Sequence, residues 1–126
     1  IVTGKTSGLM GACCAALLNS LKTLAGIKDS VKLISPMVLA PIQHLKVEHL
    51  GNSNPRLHTD EVLIALSMSA VTNPTAELAM EALSGLRGSQ AHSTVILSAV
   101  DENVFKKLGV DVTYEPAYQS RTLYHK

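Results

Sequence analysis

Six consecutive residues, Arg56-Leu57-His58-Thr59-Asp60-Glu61, gather a guanidinium, an imidazole, a hydroxyl and two carboxylates. A histidine beside carboxylates can act as an acid–base pair or hold a divalent ion, and an arginine can grip an anionic group. Arg56, His58, Asp60 and Glu61 are therefore the candidate catalytic residues. The same letters also spell a helix start. Thr59 reads as the N-cap, and Asp60 and Glu61 sit in the first turn, where the helix dipole favours carboxylates. Capping accounts for Thr59, Asp60 and Glu61, which leaves Arg56 and His58 as the two groups without a structural duty.

A second candidate is Gly4-Lys5-Thr6-Ser7, between an apolar Ile1-Val2-Thr3 and a helical pattern. A phosphate-binding loop ends in Gly-Lys-Thr or Gly-Lys-Ser because backbone N–H groups at a helix start hold phosphate while the lysine and hydroxyl complete the site. Only the end of that motif is present, so Lys5, Thr6 and Ser7 read either as an anion-binding turn or as a simple turn. His44 and Glu48 stand at i, i+4 spacing, which can offer two ligands to one ion or make an ordinary surface pair. His92-Ser93 and Asp101-Glu102 supply serine-hydrolase letters, but no Gly-x-Ser-x-Gly elbow occurs. Cys13 and Cys14 lie within an apolar helical pattern, where thiols are inert. No other cysteine exists to build a thiolate zinc site. No metal site is expected, and no cofactor is specified.

The elements that must position these groups read as α/β. Helices are predicted from Leu9 to Ala25, from Pro36 to Leu50 with Pro41 kinking it or delaying its start, over about 60–72, from Pro74 to Leu86 and from Glu102 to Leu108. Short strands are predicted at Ile1 to Thr3, Val31 to Ile34, Ala91 to Leu97 and Val110 to Tyr114. The expectation is a single domain with about four short strands and five helices packed on them. Val62 to Val71 contains no charge, so the third helix is expected to be central and buried.

Composition narrows the function classes. At 126 residues and 46% hydrophobic content, the chain can build a real core. Only 17% of residues are charged, which points to a surface partly buried against another domain or subunit. A net charge of +1 gives no field to attract nucleic acid, and 3% aromatics give few stacking platforms. No apolar run reaches the ~18 residues of a membrane span. Adjacent cysteines on a helix point about 100° apart and do not bridge, so a reducing, cytoplasmic setting is expected. The abrupt Ile1-Val2-Thr3 opening points to a piece of a longer chain.

In order along the chain, Ile1-Val2-Thr3-Gly4-Lys5-Thr6-Ser7, Leu33-Ile34-Ser35-Pro36, Pro41-Ile42-Gln43-His44-Leu45-Lys46, Asn54-Pro55-Arg56-Leu57-His58-Thr59-Asp60-Glu61 and Ala91-His92-Ser93-Thr94-Val95-Ile96-Leu97-Ser98 resemble the C-terminal part of the bacterial UPF0371 (DUF1846) family of uncharacterised proteins. The resemblance implies a longer bacterial cytoplasmic parent with an upstream domain, and a homo-oligomer. It implies no reaction, so no catalytic residue comes from it. A zinc-protease reading lacks its His-Glu-x-x-His motif. The expectation is a docking or oligomerisation domain that completes a site formed mainly upstream. The alternative is a contributor to a phosphate, nucleotide or metal-dependent enzyme site.

Overall fold

The computed structural model describes residues 2–4 and 10–114. The chain forms two compact units, residues 1–85 and 86–126.

The described part of the first unit is helical. Helix α1 (Ala12–Ala25) ends at Gly26, whose φ of 71° gives the left-handed cap that glycine adopts without strain. Helix α2 (Pro36–His44) starts where Ser35 accepts a hydrogen bond from the Met37 N–H and Pro36 takes the first helical position. It runs through Pro41 and widens into a π-turn, Leu45–His49. Helix α3 (Thr59–Ala70) follows the loop after the π-turn, and helix α4 (Pro74–Glu81) begins at the Asn73 cap and tightens into a 3₁₀ turn, Ala82–Leu86. The core joins Cys14, Leu17 and Leu21 of α1 to Leu39 of α2 and to Val62, Ala65 and Leu66 of α3. Helix α4 adds only Ala76 and Ala79 to it. Leu78, on the same helix, is exposed.

The second unit is a strand–helix–strand module. Strand β1 (Gln90–Ser93) and strand β2 (Asp111–Tyr114) pair in parallel, Gln90 opposite Asp111 and Ser93 opposite Tyr114. Helix α5 (Ala99–Leu108) connects them, capped by the Ser98 side chain and closed by Gly109 at φ 82°. A Cβ at Gly109 would stand 2.9 Å from Arg87 Cγ, so space and backbone both select glycine there.

The mixed α/β character and the five helices stand, but the strand count does not. Among the described residues there is one two-stranded parallel sheet. Val2 and Thr3 are not in a strand, and Val31 to Ile34 has apolar strand letters but no strand partner among the described residues. Leu33 and Ile34 bury themselves there as a loop instead. β1 starts one residue early and stops at Ser93, leaving Thr94 to Leu97 outside it.

The third helix is also corrected. It buries Val62, Ala65 and Leu66, but Ile64, Met68 and Val71 are exposed. Lack of charge marks a face that avoids water; it does not by itself bury every side. The N-cap of α3 is His58, not Thr59. Thr59 is the first helical residue and is fully buried.

Candidate functional site

The Arg56–Glu61 stretch is built on Lys46, which is not among the candidates above. Lys46, on the π-turn, is only 5% exposed. Its Nζ donates to the Arg56 carbonyl oxygen at 2.7 Å and to Glu61 Oε1 at 2.8 Å. The Lys46 carbonyl accepts from the Asn52 N–H at 2.9 Å. One residue thus holds both ends of the loop against the start of α3. A signal existed: a lone lysine among Leu45, Val47 and Leu50, fifteen residues before Glu61, can reach inward with its stem and still find a carboxylate.

Glu61 is correspondingly occupied. Its Oε1 accepts from the His58 N–H at 2.8 Å, the glutamate arm of a capping box, as well as from Lys46. Asp60 Oδ1 accepts from the Glu61 N–H at 2.8 Å. Both carboxylates therefore serve the helix start. Within the loop, Asn54 Oδ1 accepts from the Arg56 N–H at 3.0 Å, an Asx turn that fixes the backbone carrying Arg56. Arg56 is exposed and His58 half-buried.

Leu57, between them, is the anchor. It is 2% exposed, and its carbonyl accepts from the Cys14 thiol at 3.2 Å. A single parallel bridge joins Leu57 to Met10. That bridge lies directly before α1 on one side and α3 on the other, so the two helices start side by side. Gly11 caps α1 without a side-chain bond, and no acid lies in its first turn. Gly4, directly before Lys5 in the chain, lies against α1 so closely that a Cβ would fall 2.2 Å from Ala16 N. Gly4 and Met10 therefore touch the α1 and Leu57 neighbourhood, while Lys5, Thr6 and Ser7 lie outside the described residues.

The remaining candidates are placed as follows. His44 and Glu48 do not share a simple helical face, because the π-turn intervenes; His44 meets His49 instead, ring centroids 5.3 Å apart and edge to face. His92 Nδ1 lies 2.9 Å from Thr113 Oγ1 across the parallel strands. Ser93 folds back on the backbone of Val95. Tyr114 hydrogen-bonds Glu102, and its phenol is pushed up to about 12 by burial, reinforced by the hydrogen bond and negative charge of Glu102.

The sequence matches the family described as Domain of unknown function DUF1846, C-terminal, over residues 1–124. The chain belongs to this family. It is 59% identical over its whole length to a UPF0371 protein of Corynebacterium efficiens and 56% identical to one of Streptococcus pyogenes. A UPF0371 protein of Corynebacterium glutamicum is 58% identical, again over the whole chain. The chain spans 26% of the length of each of these relatives. No helix among the described residues is long and apolar enough to cross a membrane.

Proposed function

We propose that these 126 residues act as a docking domain, packed against the preceding part of a longer DUF1846 protein and completing a site formed mainly there. The observation that carries this reading is the outer stripe of α3. Ile64, Met68 and Val71, at i, i+4 and i+7, are 58%, 57% and 83% exposed. Three large apolar side chains in one helical row are a patch that water penalises by a few kcal/mol in total. The parallel pair β1–β2 points the same way, because parallel sheets are covered on both faces and rarely stop at two strands. Val95 and Ile96, a strand-like pair just beyond β1, are also exposed.

The partner in this reading is the upstream three-quarters of the same polypeptide, in a cytoplasmic protein that also self-associates, with neither nucleic acid nor membrane as a partner. Met68→Asp, made in the full-length protein, tests it. A buried carboxylate at this contact should loosen the domain and expose the chain before α1 to limited proteolysis. Wild-type proteolysis and an unchanged melting temperature in the variant would contradict docking through α3.

A second reading is favoured by the Met10–Leu57 bridge. Two helix starts side by side, one with no acid to offset its dipole, suit a phosphate or nucleotide phosphate, with Arg56 on the adjoining loop and Lys5, Thr6 and Ser7 as the sequence's further candidates for it. Calorimetry of the full-length protein with inorganic phosphate and ATP should show binding weakened at least tenfold by Lys5→Ala and by Arg56→Ala. Equal binding by wild type and both variants would remove this reading.

A further inference from the structure

The chain enters the first unit along a track on α1. Asn19 Nδ2 donates to the Thr3 carbonyl oxygen at 2.8 Å and pins the backbone there. One residue on, Gly4 lies so near the helix that a Cβ would fall 2.2 Å from Ala16 N and 2.4 Å from the Ala12 carbonyl oxygen. Glycine alone permits that approach. Thr3 is held at Asn19 and Gly4 at Ala12 and Ala16, so the segment runs antiparallel to α1. The residues before Thr3 head toward the C-terminal end of the helix. Ala12, Ala16, Asn19 and Thr23 fall at i, i+4, i+7 and i+11, a single row along that face. The described segment takes up the first three and leaves Thr23 exposed.

The open end of the row is suited to being covered. Thr23 Oγ1 donates to the Asn19 carbonyl at 3.1 Å and Ser20 Oγ to the Ala16 carbonyl at 2.8 Å, so both hydroxyls are satisfied within the helix. The one charged residue between Ala12 and Leu24 is Lys22. It is 9% exposed, and its Nζ donates to the Asp29 carbonyl at 3.2 Å. Leu24, next to Thr23, is 52% exposed. A chain laid here strips water from no charge and gains an apolar neighbour.

We infer that the polypeptide joining this domain to the preceding part of the parent is a splint, lying extended over the last turn of α1 at Thr23 and Leu24 instead of crossing water as a free linker. Its occupant is supplied by the family: the match is to a C-terminal domain, and the chain spans 26% of its relatives' length. Its reach follows from geometry. An extended chain advances about 3.3 Å per residue and α1 about 1.5 Å, so two or three residues before Thr3 cover the distance from Asn19 to the end of the helix. The inference rests on the domain having a preceding partner chain, as in the docking reading, but not on the α3 stripe.

Disulfide trapping in the full-length protein tests it. Thr23→Cys is combined with a cysteine placed, one at a time, at Ile1 and at each of the three residues before it. Linked peptides are quantified by mass spectrometry after mild oxidation. A disulfide needs Cα atoms within about 7 Å, and successive residues of an extended chain face opposite sides. The splint predicts alternating yields, with the best position at least tenfold above its neighbours. The same four cysteines with Ile64→Cys on α3 should give less than a tenth of that best yield. Thr23 is a surface residue, and an unchanged melting temperature confirms that the variant is folded. Absence of any link to Thr23→Cys, or equal yields at all four positions as a free tether would give, overturns the inference. Links to Ile64→Cys in place of Thr23→Cys also overturn it while leaving docking through α3 intact.

Discussion

Replacing Lys46 by Met keeps the apolar stem and removes the ammonium. The Arg56 carbonyl and the Glu61 carboxylate then lose donors at 2.7 and 2.8 Å. Two bounds frame the cost. Exposed ion pairs contribute up to about 1 kcal/mol, and orphaning one partner of a fully buried pair costs about 3–5 kcal/mol. Lys46 is nearly fully enclosed, but the Glu61 side chain keeps 24% of its exposure and recovers some hydration. The expected loss is roughly 2–3 kcal/mol, which is about a 30- to 150-fold increase in local opening. The place to read it is hydrogen exchange at the amides the clamp organises, His58 N–H on Glu61 and Asn52 N–H on the Lys46 carbonyl. Glu61→Gln should cost less, because the amide oxygen can still accept from His58. The two changes together should cost less than their sum. Added salt should change little, since the pair is enclosed. Exchange at both amides within threefold of wild type in Lys46→Met would refute the clamp.

Three further outcomes follow from the geometry. Gly4→Ala places a methyl against Ala16 N and the Ala12 carbonyl and should destabilise the first unit by about 1–3 kcal/mol in urea; a cost under about 0.5 kcal/mol would show that the segment shifts freely. Cys14 is fully buried and donates to Leu57, whereas Cys13 is partly open, so iodoacetamide under native conditions should label Cys13 well before Cys14; equal rates would contradict the packing. Tyr114 should ionise near pH 12 by ultraviolet titration. Its native pKa lies above the unfolded value of about 10, so its stabilising contribution is complete below pH 10 and fades as pH rises toward 12. Tyr114→Phe should flatten that fall, and an unchanged slope would contradict the assignment.

The helices were legible because their signals are local. Ser35-Pro36, Asn73-Pro74, Gly26 and Gly109 mark ends through capping chemistry that needs no distant partner, and the structure places ends there. Strands need partners, and partners are not encoded locally. Val31 to Ile34 and Thr94 to Leu97 have strand composition, yet among the described residues nothing pairs with either, so one plugs the core as a loop and the other lies partly exposed. The wiring of the Arg56–Glu61 loop is not legible in the sequence. Glu61 was read as a cap, and it caps; that it also holds Lys46 depends on a contact across fifteen residues. Thr59 looked like the cap because its hydroxyl can serve, but burial took it into the helix and His58 assumed the position. The His44–His49 contact was invisible because a π-turn has no sequence rule comparable to a helix cap.

The docking claim is tested most directly by peroxide footprinting of Met68 in the full-length protein at a concentration where it is monomeric. Methionine oxidises according to its access to solvent, and Met68 is 57% exposed in this chain alone. Docking through α3 predicts oxidation at least tenfold slower than in the urea-unfolded protein. Oxidation of Met68 within threefold of the unfolded rate would show that the stripe faces water in the complete protein and would contradict the account.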